Sequence, residues 1–144
     1  MKLDLPIAFL SGQEIGYALN KEYRQYLAGD LKKEQKHLPF ILDDIEVGMS
    51  YYQQFTADAP HMHPIATEHG YILQGAVRVK RLDKDDEEYE FHTGDFFVIQ
   101  KGIPYASKCI AETKVLFIKS PGINDKTVVE IDEAAQKWLS TWDI

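Results

Sequence analysis

The sequence predicts an all-β domain, a sandwich or barrel, with a helix before it and a short helix after it. Three observations carry this: a central region of short strand-like runs punctuated by turn residues, a capped amphipathic segment ahead of it, and another behind it. Runs at 51–56, 71–74, 77–82, 89–92, 96–99 and 114–118 are rich in β-branched and aromatic residues, with no long helical pattern between them. Gln74, Gly75 and Ala76 read as a tight turn, and Gly94-Asp95 as another.

Ahead of the strands, Ser11 followed by Glu14 forms a capping-box signature. Ile15, Leu19, Tyr23, Tyr26 and Leu27 then recur at helical spacing, which predicts a helix over 11–27 that stops before Gly29 and Asp30. The charged stretch 32–36 reads as a surface linker or a short helical turn, ended by Pro39. Behind the strands, Asp132 can cap a segment over 133–141 with Ala135, Trp138 and Leu139 on one side, and Trp138 and Trp142 read as packing anchors. At 144 residues the chain fits one domain: a helical segment over about 11–30, a strand-rich body over about 40–120 and an extension over 121–144.

Composition narrows the function. A hydrophobic fraction of 44% with 12% aromatics is enough to build a core. The formal charge of −7 disfavours binding to a nucleic-acid backbone, and much of it sits in 83–90, where six acids accompany one lysine. That stretch lacks the glycine and ligand order of an EF-hand and reads as a solvated hairpin tip. Cys109 is the only cysteine, which rules out an intrachain disulfide, and no basic partner marks it as a nucleophile. No run of apolar residues is long enough for a membrane span, and the amino-terminal apolar stretch is short for a signal peptide. A cytoplasmic protein is the expectation.

The chemistry is concentrated in His61, His63 and Glu68. Residues two apart on a strand point to one face, so both imidazoles can aim at one point while Met62 faces away. Pro60 and Pro64 flank the pair and suit the edge or mouth of a sheet. On a strand continuing to Gln74, Glu68, Gly70, Ile72 and Gln74 share a face. Two neutral imidazoles and a carboxylate can hold one divalent transition metal, and Fe, Mn, Ni and Zn all accept these ligands. His69 should point to the opposite face, and His37 and His92 have no partner pattern. Gln53, Gln74 and Gln100 are candidates for the interior or for the surface, Phe97, Ile72 and Phe117 for the core or lining.

From His61 to Gly75 the sequence resembles the first motif of the cupin superfamily: two histidines one residue apart, a glutamate five positions on and a glycine seven positions further. The run Gly94-Asp95-Phe96-Phe97-Val98-Ile99 resembles the second motif. The resemblance implies a double-stranded β-helix, the jelly-roll cupin barrel, with His61, His63 and Glu68 as metal ligands. Phe55 stands where the first motif opens with Gly, and Gln100 replaces an expected Pro. Tyr105 stands where cupins supply their last histidine. It is a candidate fourth ligand, a neutral hydrogen-bond donor to a bound water or substrate, or a packed aromatic; the donor role is favoured, and Tyr105 and Glu68 are the candidate catalytic residues. The implied function is metal-dependent isomerase or lyase chemistry on a small oxygen-rich molecule such as a sugar derivative or keto/hydroxy acid. Iron-dependent dioxygenation and non-catalytic or sensory small-molecule binding are the alternatives, and a homodimer is expected from the resemblance alone.

Overall fold

The computed structural model describes residues 11–29, 35, 44–84 and 87–143. His37, Pro39 and all of the stretch 32–36 except Gln35 lie outside the described residues, as do Asp85 and Asp86 at the acidic tip.

Helix α1, Gly12–Glu22, opens on the predicted capping box: the Glu14 amide donates to Ser11 Oγ at 3.1 Å, and the Ser11 amide donates to Glu14 Oε1 at 3.2 Å. The helix ends five residues before the predicted Leu27, because Tyr23 takes a left-handed conformation (φ 64°) and the chain becomes strand β1, Arg24–Ala28. Tyr23, Tyr26 and Leu27 fit a helical period, but backbone pairing with β2, Glu46–Tyr52, decides the outcome. The remaining strands are β3, Thr56–Ala57; β4, His61–Met62; β5, Thr67–Gln74; β6, Ala76–Arg81; β7, Glu88–His92; β8, Phe96–Ile99; β9, Tyr105–Cys109; β10, Thr113–Ser120; and β11, Thr127–Val128. Helix α2, Glu133–Ser140, follows, with Asp132 Oδ1 accepting from the Ala135 amide at 2.8 Å.

The strands form two antiparallel sheets, β1-β2-β10-β5-β8 and β11-β4-β9-β6-β7, with β3 alongside β9. This corrects the expected jelly-roll barrel. The all-β arrangement is cupin-like, but among the described residues no ladder joins one sheet to the other and neither sheet closes on itself. β7 and β8 are consecutive yet pair only with β6 and β5 respectively, so the turn between them connects the sheets without closing them. The inner faces meet in a core of Ile72, Val77, Val79, Tyr105, Cys109 and Val115.

Across the five-stranded sheet the register aligns Tyr26, Gly48, Phe117, Gly70 and Phe97, alternating aromatic and glycine. A Cβ at Gly48 would overlap the Phe117 ring, and one at Gly70 the Phe97 ring, so the glycines leave room for aromatic rings to lie over the sheet. The next inward row is Glu46, Lys119, Glu68 and Ile99. Gln74 leaves this face: a bulge at Leu73, opposite Lys114 and Val115, turns it to the exposed surface, where its amide donates to the Glu112 carbonyl.

Gly75 joins β5 to β6 at φ +93°, and a Cβ there would lie 2.8 Å from the Thr113 backbone. Gly75→Ala is therefore expected to destabilise the fold by about 1–3 kcal/mol, seen as a lower urea midpoint.

Strand β9 is buried at all five positions, because α2 covers its outer side. Lys108, fully buried, donates to the carbonyls of Trp138 and Thr141 at 2.6 and 2.7 Å and lies 4.1 Å from the Trp138 ring centroid. The Arg78 guanidinium lies 4.1 Å over Trp142. Both tryptophans thus pack the carboxyl end onto the sheet. At the acidic hairpin, Arg81 binds Asp83 at 2.9 and 3.0 Å, and Arg78 binds Glu90 at 2.6 Å. No helix among the described residues is long and apolar enough to cross a membrane.

Candidate metal centre

The two short strands β4 and β9 and the long strand β5 bring four side chains to one point between the sheets. His61 is on β4, opposite Tyr105 of β9 in register. His63 follows just past β4, where its carbonyl accepts from the Gly102 amide at 2.8 Å, and Glu68 faces them from β5. One ligand atom from each of His61, His63 and Glu68 lies within 4.8 Å of the others. Both histidines are 6% exposed.

The outward nitrogens of both rings are spoken for. His61 Nδ1 donates to the Ala59 carbonyl at 2.7 Å, which leaves Nε2 as a lone pair. His63 Nδ1 donates to Asp125 Oδ1 at 2.7 Å. The other Asp125 oxygen accepts from the Ile65 and Ala66 amides at 2.9 and 2.8 Å, so this carboxylate fixes both the ring and the turn that follows it. Burial alone would raise the Asp125 carboxyl, but the Ala66 amide, His63 and the Ile65 amide outweigh it and bring it to about 2.

Inside the cluster, His63 Nε2 lies 3.2 Å from Glu68 Oε1. It meets ion-pair distance but not hydrogen-bond geometry, so Nε2 is buried without a directed partner. The Tyr105 hydroxyl donates to Glu68 Oε2 at 2.7 Å and stands 2.9 Å from His61 Nε2. A phenol has one proton; with Glu68 receiving it, the His61 lone pair is left facing oxygen. Two inward imidazole lone pairs and a carboxylate, one nitrogen already without a partner, fit a divalent cation.

The electrostatics follow from the same contacts. Burial lowers His61 below the usual imidazole value, ahead of the opposing Ala59 contact. It would lower His63 too, but Glu68 and Asp125 together hold that ring above its usual value. Burial pushes Glu68 up, yet the nearby His63 imidazole and the hydrogen bond from Tyr105 override it and set the carboxyl at about 2. Burial, followed by Glu68, holds the Tyr105 phenol well above its ordinary range.

Residues 49–119 match the family model of the cupin domain. Over this stretch the chain is similar to the cupin domain. Solved structures of similar fold include KdgF from Halomonas sp., at 22% identity and TM-score 0.51 over 73% of this chain and 84% of that one. The DMSP lyase DddQ from Ruegeria pomeroyi DSS-3 aligns at 20% identity and TM-score 0.55 over 74% of this chain and 49% of its own. Oxalate decarboxylase from Bacillus subtilis aligns at 17% identity and TM-score 0.52, over 60% of this chain and 24% of its own. Among curated proteins none matches the sequence.

The matched stretch holds His61, His63, Glu68 and Tyr105, whereas Asp125 comes from beyond it. Asp125 is the site residue that sequence reasoning missed: it meets His63 across 62 positions, in a segment with no strand or helix pattern. Other candidates are not in the cluster. His69 has Nδ1 3.2 Å from the Ile118 carbonyl and stacks on Phe96. His92 is exposed and 2.8 Å from Glu90. Gln53, Gln74 and Gln100 are all exposed. Cys109 is buried, and its thiol is pushed up to about 12 by burial and then by Asp58, which suits packing rather than nucleophilic chemistry.

Proposed function

We propose that this protein is a metal-dependent enzyme that acts on a small oxygen-rich molecule, a sugar derivative or a keto/hydroxy acid, by isomerase or lyase chemistry. The observation that carries the reading is the convergence of His61, His63 and Glu68 within 4.8 Å, with both imidazoles anchored through Nδ1. A divalent cation held there would supply a Lewis acid for a carbonyl or for adjacent substrate oxygens. Glu68 serves as ligand and as acceptor of the Tyr105 proton at 2.7 Å. Tyr105 acts as the neutral donor beside the ligand set, since its proton is already directed at a carboxylate, and it orients substrate oxygen or returns a proton to it. The similar fold of a DMSP lyase and an oxalate decarboxylase agrees with bond-cleaving chemistry, but the ligand geometry is what supports the reading.

The test begins with metal-stripped protein reloaded with Fe, Mn, Ni and Zn in turn. At least one is expected to bind at one ion per chain; failure of all four would sink the proposal. The loaded protein is then incubated under nitrogen with sugar derivatives, keto acids and hydroxy acids. Turnover without oxygen is the expected result. Oxygen consumption that needs Fe(II) would assign a dioxygenase instead, and ligand recovered unchanged across the panel would assign a binding protein.

A further inference from the structure

A cavity of about 190 Å³ runs from the metal cluster between the two sheets. Its charged lining consists of three basic residues, Arg24, Lys119 and Lys126, and three acidic ones, Glu46, Asp58 and Glu68. With neutral histidines these cancel, so a divalent ion at the cluster would leave the cavity positive. The three cations are not equivalent. Lys119 is buried and 3.4 Å from Glu46, its cross-strand neighbour, so its charge is matched within the sheet. Lys126 is exposed to solvent. Arg24 is half-buried, and among the described residues no carboxylate comes within ion-pairing distance of it; Asp58 acts on it only from further away.

Arg24 is also built into place. It opens β1, opposite Ser50, with its guanidinium 5.3 Å from the centroid of the Phe117 ring. That ring lies over the sheet because Gly48 beneath it has no side chain, and Tyr26 meets it edge-on at 5.9 Å. With Tyr26 and Tyr52, Arg24 lines both the inner cavity and a surface hollow beside Tyr51, so a solute reaching the cavity from that side meets the guanidinium. A guanidinium over an aromatic ring, with the Tyr26 side chain as one hydrogen-bond partner and no carboxylate within ion-pairing distance among the described residues, keeps further N–H donors that can take a carboxylate in two parallel hydrogen bonds.

We propose that Arg24 is a specificity-determining residue that anchors the carboxylate of a small acid in this cavity, while oxygens elsewhere on the same molecule face the metal cluster. This rests on the metal-centre reading for the second half of the ligand, and it narrows the substrate class to compact carboxylates, with acids favoured over neutral sugars. Arg24 precedes residues 49–119, so this selectivity comes from outside the matched cupin domain.

The experiment is calorimetric titration of Co(II)-loaded protein with three matched pairs: glycolate against glycolamide, malonate against malonamide, and galacturonate against galactose. At least one acid is expected to bind about tenfold or more tighter than its neutral partner. Arg24→Gln should reduce that preference to within about threefold at unchanged Co(II) stoichiometry, and Arg24→Lys should fall between, keeping the charge but losing the fork. The proposal is overturned if wild-type protein prefers no acid, if Arg24→Gln keeps the preference, or if inorganic phosphate binds and the carboxylates do not. The wild-type comparison is decisive even if Arg24→Gln folds poorly. Failure of Co(II) to load would instead count against the metal centre; the same pairs titrated into metal-free protein would then decide Arg24 alone, by whether an Arg24-dependent acid preference is present.

Discussion

Asp125→Asn is expected to weaken divalent-metal binding by about 10- to 100-fold while lowering the melting temperature of the metal-free protein by only a few degrees. The separation of the two effects follows from proton bookkeeping. One Asp125 oxygen accepts two backbone amides, from Ile65 and Ala66, and the other accepts the Nδ1 proton of His63. An asparagine must keep its carbonyl oxygen toward the two amides, because its NH2 group cannot accept from them. The NH2 group then faces His63 Nδ1, which has to become the acceptor. That moves the ring proton to Nε2, the nitrogen that faces Glu68, and removes the lone pair a cation would use. Asp125→Ala would lose both roles, since two amides and one imidazole nitrogen would go without their acceptor, each at about 1–3 kcal/mol. Competition titration of Co(II) against a chelating dye, paired with thermal melts, checks both variants. An affinity unchanged in Asp125→Asn would reduce Asp125 to a loop anchor.

What could be read from the sequence depended on whether the signal was local. His61, His63 and Glu68 were legible because a period of two and a short connection place them together. Ser11 with Glu14, and Asp132, were legible because capping is settled within four residues. Strand β1 was not, since its apolar residues fit a helical repeat equally well and only pairing with β2 separates the two. Strand β9 was obscured by Lys108, which reads as a surface residue and is in fact fully buried under α2, its ammonium satisfied by two helix-end carbonyls. The expected barrel closure failed for a related reason: the same strands and turns serve a closed barrel or two open sheets, and the difference lies in ladders between distant strands. Arg24 reaches the cavity, and Asp125 the outward side of His63, from outside the motif-bearing stretch, which no spacing rule addresses.

Glu68→Gln should have the larger combined effect, abolishing metal binding and flattening the dependence of stability on pH. The carboxyl sits at about 2 in the folded protein against an ordinary 4.5. A depressed carboxyl stabilises the fold above its unfolded value, so Glu68 contributes about 3 kcal/mol near neutrality, lost as the pH falls from 4.5 towards 2. The partner of this interaction is His63, whose imidazole is held above its ordinary value. For a raised base the sign reverses: the contribution is complete below the unfolded imidazole value and disappears as pH rises through the folded one. The alkaline flank and the His63 share of the acid flank come from one ion pair, so that energy is counted once; the Tyr105 hydrogen bond adds to the acid flank only. EDTA-treated wild-type protein, unfolded in urea across the pH range, should therefore be most stable between the carboxyl and imidazole ranges. Glu68→Gln should lose most of the alkaline flank and keep only the acid loss due to Asp125, which is also held at about 2. Loading wild type with metal should remove the alkaline decline, because a cation occupies the position of the His63 proton and binds more tightly as that proton is given up. Parallel profiles for wild type and Glu68→Gln would show that Glu68 and His63 form no ion pair in solution, and the preorganised cluster would have to be abandoned.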